Sequence, residues 1–269
     1  MSISTKDKIL ALLFRAGGNF ISGEDAGKSL GISRSAVSTA VKGLRDEGFA
    51  IEAVTNRGYR LTKLPDAITA GTLLSGLSPE RMENLTCLKV TESTNSSLME
   101  LAQKNAPDGR VVISEMQTAG RGRSGKSFAS PEGQGIYLSY LIRPDTAAGE
   151  SAMISDWGFI TAAVGRTVSL VLKELYGISP EIKENELLVN KRKLCGILTQ
   201  TDMEVESGMF RALVAGIGIN VHQRDREPDP KLRMTSIDME TSKRSSRPAL
   251  AAALILALDE LRRSLRCHL

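Results

Sequence analysis

The sequence predicts an α+β chain in two parts: a small helical module, then a larger domain mixing helices with one sheet. Three observations point there. Charge is uneven: residues 1–64 hold ten Lys/Arg and six Asp/Glu, and the rest holds 25 of each, so the whole net charge of +4 lies in the first quarter. Helical periodicity fills that quarter and ends in a short hairpin pattern. Beyond it, strand-like runs such as Val111-Val112-Ile113 and Gly135 to Ile142 mix with long apolar-periodic helices. At 269 residues the chain is long enough for two cores.

Lys6 to Arg15 carries Ile9, Leu10, Leu12, Leu13 and Phe14, a short amphipathic helix. Ser22-Gly23-Glu24-Asp25 is close to a capping box with Asp in place of Glu, and opens a second helix to Leu30. Gly31-Ile32 makes a turn. Ser33 caps a third helix, Arg34 to Glu47. Val37, Val41 and Leu44 share one face of it. Arg34, Ser35, Ser38, Thr39 and Lys42 share the other. This is a helix-turn-helix whose small, polar, basic face can enter a major groove. Phe49 to Val54 and Tyr59 to Leu61 flank Thr55-Asn56-Arg57-Gly58, a hairpin with an Asn/Gly turn. That adds a wing, with Arg57 at its tip for a phosphate or the minor groove. The expected DNA contacts are therefore Arg34, Ser35, Ser38, Thr39, Lys42 and Arg57.

Pro65 and Asp66 punctuate the chain. The expected division is a DNA-binding domain at 1–64, a linker at 65–81 and a second domain at 82–269. A short helix is expected from Ala67 to Leu77, and a strand from Thr86 to Thr91. Ser93-Thr94-Asn95 then opens a helix, as an N-cap or as a grip on a small polar ligand. A long helix from Ser151 to Tyr176 holds Trp157. Residues 179–201 read as strands around one turn at Asn190-Lys191-Arg192. Phe210 to Val221 is a strand, and the last helix starts at Pro248.

The stretch Gln117-Thr118-Ala119-Gly120-Arg121-Gly122-Arg123-Ser124-Gly125-Lys126 is dense in glycine and cations. Bare amides beside cations suit a polyanion. Gly120, Gly122 and Gly125 match G-x-G-x-x-G, and Gly120 to Ser127 matches G-x-x-x-x-G-K-[ST]. Both motifs need a helix to follow. Pro131, Gly133 and Gly135 forbid one here, and a strand comes next. The dinucleotide fold and the P-loop are both excluded. What remains is a loop between two strands that folds over a phosphate.

Cys87, Cys195 and Cys267 are scattered and form no C-x-x-C pair. That argues against a disulfide framework or a zinc site, and no metal-ligating set is expected. No signal peptide follows Met1, and no apolar run reaches membrane-spanning length. The expected setting is the cytoplasm, with no membrane partner.

Together these residues resemble the biotin protein ligases, in the bifunctional form that carries a winged helix in front. The resemblance rests on Ser93-Thr94-Asn95, the Gln117 to Lys126 loop, Lys193-x-x-Gly196-Ile197-Leu198 and Gly216-x-Gly218-x-Asn220, in that order and spacing. It implies a mixed-sheet catalytic domain that makes biotinyl-5′-adenylate from biotin and ATP with Mg²⁺. Biotin then passes to one lysine of a biotin carboxyl carrier protein. It also implies an operator-bound repressor and a homodimer promoted by the adenylate. On this resemblance the biotin-binding positions are Ser93, Thr94, Asn95, Gln117, Arg121, Gly122, Arg123 and Lys193. The adenylate and ATP positions are Gly120, Arg123, Gly125, Lys126, Phe128, Asn185 and Asn220. Arg121, Lys183 and Lys193 are the expected catalytic side chains.

Two departures bear on activity. Where the family has Lys-Trp-Pro-Asn-Asp, this chain has Lys183-Glu184-Asn185-Glu186. A one-residue loss from a strand reverses side-chain facing on one side of it, so Lys183 or the Asn185/Glu186 pair is expected to be misplaced. Glu184 also adds negative charge beside an anion site, so ATP or adenylate binding is expected to weaken. The resemblance further implies a small SH3-like domain after the last helix, whereas this sequence ends at Leu269, which bears on the transfer step. The alternative expectation is a DNA-binding sensor of biotin or its adenylate with little or no ligase activity.

Overall fold

The computed structural model describes residues 3–63, 65–143, 157–203, 210–223 and 234–267. The chain divides into two compact units, Met1–Glu83 and Asn84–Leu269.

The first unit begins with α1 (Thr5–Arg15), α2 (Gly23–Leu30) and α3 (Arg34–Asp46). Each opens on a serine. Ser4 and Asp7 form a reciprocal capping box, Ser22 accepts from the Asp25 amide at 2.9 Å, and Ser33 accepts from the Ala36 amide at 3.1 Å. Ile9, Leu10, Leu13, Val37, Val41 and Leu44 form the core, closed by Ile51 and Leu61. Those two residues pair across β1 (Ile51–Val54) and β2 (Gly58–Leu61). Gly58 sits at φ 97, where a Cβ would lie 2.1 Å from the Ile21 carbonyl oxygen, so this turn position admits only glycine.

The expected linker belongs to this unit. Ile68, Leu73, Leu74, Leu77 and Met82 are buried, the Gly71 amide donates to Asp7 at 3.0 Å, and Arg15 donates to the Leu74 and Ser75 carbonyls. The expected helix over Ala67–Leu77 shrinks to α4 (Ala70–Leu73), followed by α5 (Pro79–Glu83). Thr69 and Thr72 fix the late start: they form a reciprocal capping box, with the Thr69 amide donating to the Thr72 hydroxyl and that hydroxyl donating to the Ala67 carbonyl, so residues 67–69 lie before the helix.

The second unit holds a sheet of β3 (Leu85–Thr91), β4 (Val111–Gln117), β5 (Gly135–Ile142), β6 (Glu181–Lys183), β7 (Glu186–Val189), β8 (Arg192–Met203) and β9 (Phe210–Asn220). The strand order is β3-β4-β5-β9-β8-β7-β6. Only β3 and β4 run parallel, joined by α6 (Thr94–Gln103); the other pairings are antiparallel. Leu98 and Ala102 of α6 pack on Val112, Leu141 and Val214, which defines one face. Tyr140, next to Leu141, points to the other face and donates to Asp259 at 2.6 Å. Asp259 lies on α9 (Arg247–Cys267), which packs against α7 (Trp157–Tyr176). A single turn, α8 (Ile237–Glu240), precedes α9.

Two readings differ from expectation, and a third is not described. The final helix begins one residue before Pro248. Residues 179–201 contain two turns instead of one: Glu184 takes φ 51 in the first, and Asn190 and Lys191 take φ 50 and 61 in the second. The start of the long helix, 151–156, lies outside the described residues. The glycine-rich stretch runs from β4 to β5 through one 3-10 turn at Arg123–Gly125, with no α-helix after it, as the exclusion of the P-loop requires.

Candidate active site

A cavity of about 550 Å³ opens in the second unit, bounded by the 118–130 loop, the β6–β7 hairpin, β8, β9 and the start of α6. Its floor is polar and buried. Ser93 caps α6. The Thr94 amide and hydroxyl face Gln117 Oε1 at 2.9 and 3.1 Å. Gln117 Nε2 donates to Ser130 at 2.7 Å, and Ser130 donates to the Phe128 carbonyl at 3.0 Å. Asn95 Nδ2 donates to the Leu198 carbonyl at 3.1 Å and to Gln200 at 2.8 Å. Ser139 on β5 lies against both Thr94 and Asn95, at 2.8 and 2.6 Å.

Glycines hollow the sheet above this network. A Cβ on Gly216 would lie 2.1 Å from Asn95 Oδ1, and one on Gly218 would lie 2.6 Å from the Phe128 ring. Phe128 meets Tyr137 edge-on at 6.4 Å, with Lys193 Nζ 5.8 Å from its ring centre.

The rim is cationic. Arg121, Arg123, Lys126, Lys183, Lys191 and Lys193 line the cavity, against Glu184 and Glu186. Arg123 pairs with Glu184 at 2.6 Å across the mouth, and Lys193 pairs with Glu186 at 2.7 Å. The loop closes on itself: Arg121 bridges Ser127, and the Gly122 amide donates to the Lys126 carbonyl at 2.7 Å. Beside Lys193, burial pushes the Cys195 thiol up to about 12, so it stays protonated.

Ser93, Thr94, Asn95, Gln117, Arg121, Gly122, Arg123, Lys126, Phe128, Lys183, Asn185 and Lys193 thus surround one cavity. Gly120 and Gly125 do not line it; they shape the loop. A Cβ on Gly120 would lie 2.3 Å from the Phe128 carbonyl oxygen, and Gly125 takes φ 74. Asn220 does not line the cavity: it is fully buried, and its Nδ2 lies 3.0 Å from the Thr235 carbonyl and 3.4 Å from that of Lys193, which ties β9 to β8 and to the segment entering α8. The feared reversal across Lys183 to Glu186 does not occur. Lys183, Asn185 and Glu186 all reach the cavity, because the left-handed turn at Glu184 absorbs the shortening. Asn185 is then held to β8 by bonds to both the amide and the carbonyl of Ile197, at 2.8 and 2.9 Å.

Comparison with known proteins agrees with this geometry. Residues 5–60 match the HTH domain family, and residues 87–220 match the biotin/lipoate A/B protein ligase family. The bifunctional ligase/repressor BirA of Bacillus subtilis is 33% identical over 272 residues, across 100% of this chain and 81% of that protein. The chain belongs to the biotin/lipoate A/B protein ligase family. The BirA of Escherichia coli K12 is 33% identical over 252 residues, across 93% of this chain and 74% of its own length. Among solved structures, a biotin protein ligase from Aquifex aeolicus in complex with biotin and ATP is 28% identical with a TM-score of 0.55, over 68% of this chain and 72% of that one.

The order of units, a helix-turn-helix before a ligase domain, is that of a bifunctional ligase/repressor. In the first unit Val37, Ala40, Val41 and Leu44 of α3 are buried, and Arg34, Ser35, Ser38, Thr39 and Lys42 are exposed. Arg57 at the wing tip lies 4.1 Å over the Phe20 ring, with Arg60 at 4.6 Å. Among the described residues no helix is long and apolar enough to cross a membrane, and no group of three His, Cys, Asp or Glu could hold a metal ion.

Sequence reasoning missed Ser139, Gln200 and Ser130. For Ser139 a signal existed: it is a lone hydroxyl in the apolar run Gly135 to Ile142, every residue of which is buried. A polar group there needs a partner.

Proposed function

We propose that the second unit activates biotin with ATP, as its magnesium complex, and passes the biotinyl group to a lysine of a carrier protein. A biotin carboxylate oxygen attacks the α-phosphorus of ATP. Pyrophosphate leaves, and a mixed anhydride, biotinyl-5′-adenylate, forms. The carrier amine then attacks the acyl carbon, forming an amide and releasing AMP. The observation that carries this reading is one cavity joining a neutral, hydrogen-bonding floor to a cationic rim. The floor suits a compact polar ring, and the rim suits carboxylate and polyphosphate.

Ser93, Thr94, Asn95 and Gln117 face the biotin ring system, with Arg121, Gly122 and Arg123 closing over it. Lys193 holds the biotin carboxylate against the α-phosphate. Lys183 and Lys126 stabilise charge on the phosphates, Asn185 sits beside them, and Phe128 offers its ring to adenine. A closed loop keeps water off the anhydride. The protein acts in the cytoplasm, and the adenylate promotes a homodimer that binds operator DNA through α3 and the wing.

Purified protein with biotin, Mg²⁺ and α-labelled ATP should yield biotinyl-adenylate, lost when Arg121 or Lys193 is changed to Ala. Glu184 at the mouth, paired with Arg123, favours a second reading, a sensor that binds biotin without activating it. Biotin binding by calorimetry with no labelled adenylate would select that reading. For the DNA role, Arg34→Ala, Lys42→Ala and Arg57→Ala should each weaken binding on all sequences and reduce the salt slope by about one. An unchanged slope excludes that side chain as a phosphate contact.

A further inference from the structure

The tip of the wing in the first unit is braced from both sides. Asn56 and Gly58 take φ 64 and 97 around Arg57, whose amide donates to the Val54 carbonyl at 3.1 Å. Ile21 joins the hairpin as a third strand, exchanging two backbone bonds with Tyr59 at 2.9 and 2.8 Å. Gly58 packs directly on the Ile21 carbonyl. Phe20, half-buried, precedes Ile21, so this ladder holds its ring beside the tip.

That ring serves two guanidinium groups. Arg57 Cζ lies 4.1 Å from the ring centre and Arg60 Cζ 4.6 Å. A guanidinium on an aromatic ring uses its flat face and keeps the N–H donors on its edge. The two edges have different fates. Arg60 gives Nε and Nη2 to Glu52, its partner across the β1–β2 ladder, so its charge is matched. The exposed Arg57 side chain makes no hydrogen bond or ion pair among the described residues. The wing therefore offers one unmatched cation, with its face covered and its edge open.

We propose that Phe20 is a positioning residue for DNA binding: its ring holds the Arg57 guanidinium with the N–H fork outward, ready for two oxygens of one backbone phosphate. A phosphate accepts two parallel N–H bonds from such a fork. A free arginine loses much side-chain freedom when it binds, and a stacked one has lost part of it beforehand. Phe20 touches no phosphate itself and acts only through Arg57. This inference rests on the reading of Arg57 as a phosphate contact.

Fluorescence anisotropy on the full chain tests it, with a mixed-sequence DNA duplex over a series of KCl concentrations. Phe20→Leu should weaken binding roughly three- to tenfold at every salt concentration, the scale for ordering one long side chain. Its salt slope should stay that of the wild type, because the same number of phosphates is neutralised. Arg57→Ala should lower the slope by about one. Once Arg57→Ala is present, Phe20→Leu should cost nothing more, since the ring then has no phosphate contact to position. Phe20→Tyr keeps the ring and should bind as the wild type does. Phe20→Met, of similar bulk and without a ring, replaces the leucine variant if that one melts early. A purely structural role would loosen the whole wing. It would lower the slope in Phe20→Leu, or cost as much with Arg57→Ala as without it, and either result overturns the inference. Wild-type affinity in Phe20→Leu also overturns it, with the Arg57 contact intact. A wild-type slope in Arg57→Ala removes the contact itself, and the inference with it.

Discussion

The floor and the rim of the cavity are built on opposite physical terms. On the floor, Thr94, Asn95, Ser139 and Ser130 are buried, and their bonds are set by neighbours distant in sequence, such as Leu198 and Gln200. At the rim, the Arg123 and Glu184 side chains are 63% and 69% exposed, and their ion pair is open to water. Buried polar networks have one low-energy arrangement and are costly to leave half-satisfied. Exposed ion pairs are screened, and such a pair contributes about 0–1 kcal/mol. The difference separates recognition from charge handling. In the proposed reaction the floor recognises the biotin ring, and the rim exchanges its internal ion pairs for ligand phosphates.

The sharpest way to break that division is Gly216→Ala. The new Cβ would lie 2.1 Å from Asn95 Oδ1, a side chain held by Ser139, Leu198 and Gln200. Biotin affinity should drop by more than about a hundredfold, with a stability loss of about 1–3 kcal/mol from overpacking. Calorimetry and thermal melting measure both. Affinity within threefold of wild type would mean that the floor adapts. Next in size comes Lys193→Ala. It leaves Glu186 without its 2.7 Å partner and removes the cation 5.8 Å from the Phe128 ring centre. Adenylate formation should fall roughly 10²–10³-fold, the scale for losing one preorganised charge partner in a transition state. A fall confined to biotin affinity, with the rate at saturation intact, would move Lys193 from rim to floor.

Much of the rim was legible in sequence, and little of the floor. Glycine and arginine between two strands identify a loop for an anion whatever surrounds it, because the conformational freedom and the charge are local. Local chemistry likewise revealed the caps Ser22, Ser33 and Ser93 and the exposed face of α3. The floor depends on residues 95, 139, 198, 200 and 216 meeting, and no local pattern encodes that meeting. Strands of three and four residues, β6 and β7, fall below the length at which alternation can be read, so the turn at Glu184 was missed and its neighbours were expected on the wrong faces. Asn220, placed at the adenylate by the resemblance, has a structural bond that no local pattern shows: its Nδ2 donates to the Thr235 carbonyl at 3.0 Å, behind the cavity lining.

The smallest effect probes the rim alone. Glu184→Gln removes one negative charge at the cavity mouth and loosens Arg123 from a bond of 2.6 Å. Stability should change by less than about 0.5 kcal/mol, because both partners are mostly exposed. ATP should bind more tightly, since a carboxylate about 8 Å from a phosphate costs about 0.5 kcal/mol in water, or roughly a twofold change in KM. The gain should shrink as KCl rises and vanish near 1 M, where the screening length is about 3 Å. Biotin affinity, set by the floor, should not move. A KM for ATP that rises in the variant would reverse the assignment of this contact. Arg123–Glu184 would then be a brace holding the loop in its ligand-ready form, and the rim would share the preorganisation of the floor.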